Sequence, residues 1–431
     1  MMIRIATLTH AATALGMALL TLAAGAAPVQ APDAALIARG AYLAKAGDCV
    51  ACHTAPHGTP FAGGQKMVTP MGAIYTTNIT PDPDTGIGRY TEADFARALR
   101  EGVAKDGHNL YPAMPYPSYA KVKDDDMKAL YAYFMHGVEP VKQPNRAADI
   151  PWPLGMRWPL KLWNAVFLDT KVYADKPGKD AMWNRGAYLV QGLGHCGSCH
   201  TPRGVGFQEK ALDEGGAAYL SGAPIDNWFA SNLTSEPNAG LGRWSQADIA
   251  LFIKTGANRH ASAFGSMTDV INRSTQWLAT DDVNAIARYL KSLPVAGGSG
   301  MPPYHDDPGG VQPTLAGSAN DSGSKLYATY CMHCHGSNGK AFAPLLAPLA
   351  GNPAVLEPNP TSTINVTLNG AQALVIDGLP AAYPMPKFSN VLTDQQVADV
   401  LTFVRSHWNN ASTAVSTSDV AKLRKATAVR N

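Results

Sequence analysis

Cys49-Val50-Ala51-Cys52-His53, Cys196-Gly197-Ser198-Cys199-His200 and Cys331-Met332-His333-Cys334-His335 are three copies of one pattern, two cysteines three residues apart with a histidine next. The chain has six cysteines, and these pentads use all of them. An even cysteine count in an exported chain ordinarily indicates disulfides, but this spacing argues for another use. Two thiols on one helical turn can form thioethers with the two vinyl groups of a single haem. The histidine that follows can then direct its imidazole at the iron. A thioredoxin-like reading wants a βαβ context, and none surrounds these pairs. A zinc ribbon needs its two pairs about 15–20 residues apart, whereas these begin 147 and then 135 residues apart. The expected cofactors are three covalently bound haem c groups. Cys49 and Cys52, Cys196 and Cys199, and Cys331 and Cys334 attach them, and His53, His200 and His335 are the proximal ligands.

Working outward, each pentad marks a domain. Arg39-Gly40-Ala41-Tyr42-Leu43 precedes the first and Arg185-Gly186-Ala187-Tyr188-Leu189 the second, with a looser Gly323-Ser324-Lys325-Leu326-Tyr327 before the third. A glycine and an aromatic about a turn apart allow two helices to approach closely, the usual arrangement in c-type cytochrome domains. Downstream, Thr91 and Ser245 are placed to cap helices with a side-chain oxygen. Asn78-Ile79-Thr80 and Asn232-Leu233-Thr234 match the glycosylation sequon, but their repetition at equivalent places favours a structural turn. Amphipathic helices are expected over 125–136, 280–293 and 393–408, with Val283, Ile286, Ala287 and Leu290 at helical spacing.

The expected fold is all-α, three tandem c-type cytochrome domains with long irregular connections. Residues 1–31 read as a signal peptide and 32–138 as domain 1. A Trp/Pro-rich connection covers 139–180, and domain 2 covers 181–295. A Gly/Pro/Ser linker runs over 296–323, domain 3 over 324–410 and a C-terminal tail over 411–431. In the connection, Trp152, Trp158 and Trp163 lie near prolines that exclude a regular helix. These aromatics read either as core or as a docking surface for a partner or membrane.

Electron transfer asks for a second axial ligand, and a methionine thioether raises the potential. Met114, Met267 and Met385 each stand in the loop expected just before the final helix of a domain. Met67, Met71, Met127 and Met135 read as filler or surface residues. His195 and His333 lie too close to their pentads to reach the opposite haem face and read as surface or supporting residues. His57 and His260 are further histidines that could in principle ligate. Gly192-x-Gly194-x-x-Gly197 matches a dinucleotide fingerprint but runs into the haem cysteines without a strand–turn–helix setting.

The N-terminus has Arg4 followed by the apolar run Ala11–Leu22, too short to span a bilayer, with cleavage tripeptides at Ala24-Gly25-Ala26 and Val29-Gln30-Ala31. A hydrophobic content of 46% excludes a disordered chain. With 35 basic against 33 acidic residues and no basic stripe, nucleic acid is not an expected partner.

Beyond the pentads, more specific segments carry a family resemblance. They include Tyr75-Thr76-Thr77-Asn78-Ile79-Thr80-Pro81-Asp82-Pro83, Tyr111-Pro112-Ala113-Met114-Pro115-Tyr116-Pro117, Asp149-Ile150-Pro151-Trp152-Pro153-Leu154 and Ala223-Pro224-Ile225-Asp226-Asn227-Trp228. From Ala35 to about Lys425 the chain resembles the triheme cytochrome c subunits of membrane-bound periplasmic dehydrogenases, nearest to those of quinoprotein alcohol dehydrogenases. The resemblance implies a large dehydrogenase subunit carrying pyrroloquinoline quinone (PQQ) as electron donor and ubiquinone as acceptor. It also implies peripheral contact with the periplasmic face of the cytoplasmic membrane. Sister complexes with flavin or molybdenum subunits, acting on sugar acids, polyols or aldehydes, are the alternative. The chain ends soon after its third domain, without the C-terminal hydrophobic helix of some flavin-linked relatives, which disfavours that group. Two further readings are a haem enzyme with an open sixth site and a freely diffusing shuttle.

Overall fold

The computed structural model describes residues 33–298, 300–306 and 321–428. The expected signal peptide and half of the expected linker lie outside the described residues. The first region contains α1 (Ala34–Ala46), α2 (Cys49–Cys52), the antiparallel hairpin β1 (Lys66–Thr69) and β2 (Gly72–Tyr75), α3 (Glu92–Glu101), α4 (Tyr116–Tyr119) and α5 (Asp124–His136). After α6 (Pro159–Phe167) the second repeats this order. It has α7 (Ala181–Gln191), α8 (Gly197–His200), the hairpin β3 (Ala223–Ile225) and β4 (Trp228–Ala230), α9 (Gln246–Thr255), α10 (Ser266–Arg273) and α11 (Thr280–Lys291). The third contains α12 (Ser322–Tyr330), α13 (Met332–His335), α14 (Pro353–Leu356), α15 (Thr361–Asn369), α16 (Asp394–Ser406) and α17 (Thr417–Ala428). The structure is mostly helical. The two short hairpins are the only strand pairs among the described residues.

Each region is built on a crossed pair of helices: α1 on α5, α7 on α11, and α12 on α16. The glycines at the crossings explain the repeated motif. A Cβ on Gly40 would collide with the Ala129 carbonyl oxygen, and one on Gly186 with that of Ala285. One on Gly323 would lie 2.5 Å from the Asp399 carbonyl oxygen. Thr91 and Ser245 cap α3 and α9 in capping boxes closed by Asp94 and Asp248, as their sequence positions predict.

The first two regions exchange side chains across their boundary. Asp126 on α5 accepts hydrogen bonds from Arg39 Nε at 2.9 Å and from the Tyr188 hydroxyl of the other region at 2.6 Å. Asp282 on α11 accepts from Arg185 Nε at 2.7 Å and from the Tyr42 hydroxyl at 2.6 Å. The same hydroxyls accept the backbone N–H groups of Lys123, to Tyr188, and Ala279, to Tyr42. Lys123 and Ala279 are the N-cap residues of α5 and α11, and neither makes a side-chain cap of its own. Each region therefore caps the other's final helix. Replacing Tyr42 and Tyr188 by phenylalanine is expected to cost about 1 kcal/mol each. In urea titrations the double variant should lose more than either single one, and an unchanged midpoint would count against the exchange.

This pairing merges the apolar side chains of both regions into one buried cluster, with Leu43, Leu130 and Phe134 from the first and Leu189, Ile249 and Leu290 from the second. The third region has a separate core around Tyr327, Ile364, Val400 and Phe403. It meets the second through polar contacts, including Ser362 Oγ with the Phe229 backbone and Asn365 with the Asn227 carbonyl. A small apolar cluster of Ala257, Ala263, Ile271, Leu374 and Ala382 adds to that junction.

Two expectations need correction. The stretch set apart as a tail contains α17, which packs on α15 and α16 and buries Val420 and Leu423. The prolines of the Trp-rich connection do not exclude a helix. Pro159 is the first residue of α6, where its missing N–H would have had no intrahelical partner.

Candidate haem sites

The three pentads lie on single-turn helices, α2, α8 and α13, each following a crossing helix. None of the six cysteines is paired in a disulfide. Burial pushes the Cys49 and Cys196 thiols up to about 12, and those of Cys52, Cys199 and Cys331 to about 11. Two thiols on one turn beside a histidine suit thioether attachment.

The histidines show a common arrangement. Nδ1 of His53 donates to the Thr77 carbonyl at 2.7 Å, that of His200 to the Ser231 carbonyl at 2.7 Å, and that of His335 to the Ala347 carbonyl at 2.8 Å. A carbonyl can only accept, so Nδ1 carries the proton and Nε2 is left as the ligating atom. Burial lowers the pKa of all three imidazoles, which keeps them neutral.

These carbonyls were not found from the sequence, although the repeat held a signal. Thr77 and Ser231 directly precede the Asn-x-Thr turns. Asn78 Oδ1 accepts from the Thr80 N–H and hydroxyl, and Asn232 Oδ1 from those of Thr234. Asn78, Thr80, Asn232 and Thr234 are buried, so these turns are structural rather than glycosylation sites. Each turn also ties down the chain leaving the final helix, through the Val141 and Ala296 carbonyls.

At the first site Cys49, Cys52 and His53 line a cavity of about 1160 Å³ whose wall also includes Met114. Ile79, Ile87, Phe95, Leu99, Leu130 and Phe134 make its surface apolar. The chemistry of this donor set fits haem c. The cavity continues past Cys199, His195 and Phe207 of the second region, so the first two attachment points are neighbours. Met385 sits in the loop before α16, whereas Met114 sits in a bend before α4, which stands between it and the final helix α5. Met267 does not lie on a loop: it is the second residue of α10, packed against the cluster containing Ala263 and Ile271. The proline-free sequence Ser266-Met267-Thr268-Asp269 allows that helix to form. Among the other histidines, His57 and His333 are exposed, and His260 stacks on Trp244.

Comparison with known proteins decides the family. The cytochrome c pattern matches residues 37–137 and 321–408. The gluconate 2-dehydrogenase cytochrome c subunit of Pantoea cypripedii is 53% identical over 402 residues, covering 92% of this chain and 91% of that protein. This chain belongs to the family of dehydrogenase cytochrome c subunits. The alcohol dehydrogenase (quinone) cytochrome c subunit of Gluconacetobacter polyoxogenes is 51% identical over 415 residues, 94% of this chain and 88% of its own length. The fructose dehydrogenase cytochrome subunit of Gluconobacter japonicus is 39% identical over 406 residues, 90% and 82%.

In this cytochrome subunit His195 has a structural place that its sequence position did not reveal. It packs edge-on against Tyr119 at 5.7 Å between ring centroids, and the Tyr119 hydroxyl donates to the Gly47 carbonyl just before the first pentad. Asp48 is a second such residue. Its Oδ1 is buried with no hydrogen-bond partner among the described residues, and α10 packs on α2 beside it. Burial raises the Asp48 carboxyl to about 8. Between the ordinary value of 3.8 and about 8 the folded chain keeps a proton that the unfolded chain has lost, so stability falls as pH rises through this window. Asp48→Asn is expected to raise the melting temperature at pH 8 and to leave it unchanged at pH 4. Equal melting curves at both pH values would refute the burial argument.

Proposed function

We propose that this chain is the electron-transfer subunit of a periplasmic dehydrogenase. It takes electrons from a PQQ-containing alcohol dehydrogenase large subunit and delivers them to ubiquinone at the periplasmic face of the cytoplasmic membrane. The observation that carries this reading is the threefold repetition of paired cysteines, none in a disulfide, beside a histidine whose Nδ1 is already committed to a carbonyl. When bound, haem c supplies reversible one-electron exchange at its iron.

The chain's residues supply attachment, orientation and exclusion of water. Cys49 and Cys52, Cys196 and Cys199, and Cys331 and Cys334 would hold three haems. Thr77, Ser231 and Ala347 orient His53, His200 and His335. Met114, Met267 and Met385 would each offer a thioether sulfur as the second ligand. The shared core of the first two regions keeps their attachment points in fixed relation. No helix among the described residues is long and apolar enough to cross a membrane, and the membrane contact in this reading is peripheral.

Met114→Leu tests the ligand assignment. The reduced variant is expected to bind carbon monoxide at one haem in three, with the wild type binding none rapidly. Rapid binding by the wild type would instead favour an enzyme with an open iron.

The 53% identity to a gluconate 2-dehydrogenase cytochrome c subunit favours a second donor, a sugar-acid dehydrogenase. Purifying the tagged chain from membranes and identifying the large subunit that accompanies it separates the two. Reduction of the haems by ethanol supports the first, and reduction by gluconate the second. Isolation as a free soluble protein would overturn both.

A further inference from the structure

The helix α6 reads Pro159-Leu-Lys-Leu-Trp-Asn-Ala-Val-Phe167, apolar except at Lys161 and Asn164, yet none of its residues is buried. A helix that is apolar on all sides normally lies inside a protein. One side of α6 is accounted for. Trp163 Nε1 donates to the Gly206 carbonyl at 2.7 Å, Asn164 bonds Tyr116 and the Glu101 carbonyl, and Phe167 lies against Gly206. The other side carries Trp158, Leu162 and Val166 at successive i, i+4 positions, 62%, 61% and 72% exposed. Trp152, at 84%, and Leu154 extend this stripe on the N-terminal side. Val205 and Phe207 extend it through the loop that Trp163 holds in place, and both are exposed.

Charge indicates what covers this face. Between Asp149 and Asp169 the chain has Arg157 and Lys161 and no acidic residue. Lys161 is exposed and takes part in no salt bridge among the described residues, and Lys210 is exposed beside the Val205–Phe207 loop, where Arg203 is paired with Glu209. Arg157 is partly spoken for, stacked on Tyr111 at 3.6 Å and donating to the Asn109 carbonyl. An apolar stripe with tryptophans at one end and unpaired lysine at its margin matches the boundary between lipid headgroups and acyl chains. α6 and the turn before it carry no carboxylate, and the side chain of Glu209, next to the Val205–Phe207 loop, is buried beside Arg203, an arrangement that suits an anionic surface.

We propose that α6, with Trp152, Trp158 and the Val205–Phe207 loop, is an interfacial element that seats this chain on an anionic phospholipid bilayer. Leu162 and Val166 enter the acyl boundary, and Lys161 and Lys210 face the headgroups. This deepens the peripheral membrane contact of the proposed function and rests on that reading for its occupant. It places the cavity of the first haem site on the membrane side of the molecule, since Arg157, Trp163, Phe167 and Phe207 belong both to this element and to the cavity wall.

The test uses the full haem-loaded chain and vesicles of phosphatidylcholine, with and without phosphatidylglycerol, read by co-sedimentation and tryptophan emission. The wild type is expected to bind phosphatidylglycerol vesicles with a blue-shifted emission that salt weakens. L162E/V166E, at exposed positions, should lower binding roughly tenfold or more while leaving haem content and melting temperature unchanged. Lys161→Glu should reduce binding to phosphatidylglycerol vesicles alone. Undiminished vesicle binding by L162E/V166E overturns the proposal. So does loss of the dehydrogenase large subunit from that variant with vesicle binding intact, which would assign the face to a protein. Haem reduction by the dehydrogenase is measured separately in detergent. Vesicle binding without reduction overturns the electron-transfer reading and not this one; reduction without vesicle binding does the reverse.

Discussion

C196S/C199S should contain two haems per chain in place of three and should melt as a destabilised protein through both of its first two regions. The pentads account for all six cysteines, so no other thiol can replace the lost thioethers. His200 alone would leave a dissociable group. The structural penalty spreads because the second site is not in a core of its own. Leu189, Leu193 and Ile249 belong to the same buried cluster as Leu43, Phe95 and Leu130. An unfilled cavity in that cluster weakens both regions. C331S/C334S should also contain two haems, but the third region has a separate core, so the first two should melt as in the wild type. Pyridine haemochrome assays give the haem count, and calorimetry separates the transitions. Three haems in either variant would end the attachment argument. Equal thermal effects of the two would end the shared-core argument.

Gly186→Ala is expected to destabilise the chain by about 3 kcal/mol or more, the upper range for forcing extra volume into a packed contact. The direction is the informative part. In a helix interior alanine is favoured over glycine by about 1 kcal/mol, so propensity alone predicts stabilisation. The added methyl, however, would meet the backbone carbonyl of Ala285 and the Cβ of Tyr289 on α11, neither of which can rotate away. The two helices would have to separate. Trp183, stacked edge-on against Tyr289 at 5.1 Å, and the Arg185–Asp282–Tyr42 link would shift with them. Gly40→Ala should behave alike on α1 and α5. A urea titration of either variant with an unchanged or higher midpoint would show that the helices can part without loss.

Much of the architecture was legible because it is set by near neighbours. The final helices were placed within about two residues because a buried stripe of period 3.6 is a local property. Thr91 and Ser245 were readable as caps because the acceptor and the N–H groups lie three residues apart. Met267 was misplaced because nothing local distinguishes a ligand loop from the first turn of a helix. Thr77, Ser231 and Ala347 were missed because a backbone carbonyl has no residue type. The contact runs over 24, 31 and 12 residues at the three sites, so no fixed spacing marks it.

The sequence by itself determined the spacing of the paired cysteines, the three helix crossings and the kinship of the first two regions. Covalent spacing, a missing Cβ and a repeated motif each act over a few residues. Only the tertiary structure decided that Tyr42 and Tyr188 cap the opposite region's helix, and that two of the cysteine pentads lie against one core while the third lies against another. Asp126 and Asp282 stand three residues before the crossing on their helices, and Gln396 takes that place on α16. There Thr393 and Gln396 form a capping box instead, so α16 has no need of a neighbour's hydroxyl. Whether an acidic side chain near a helix start serves its own helix or a neighbour's depends on how two surfaces dock, and docking distance has no counterpart in chain separation.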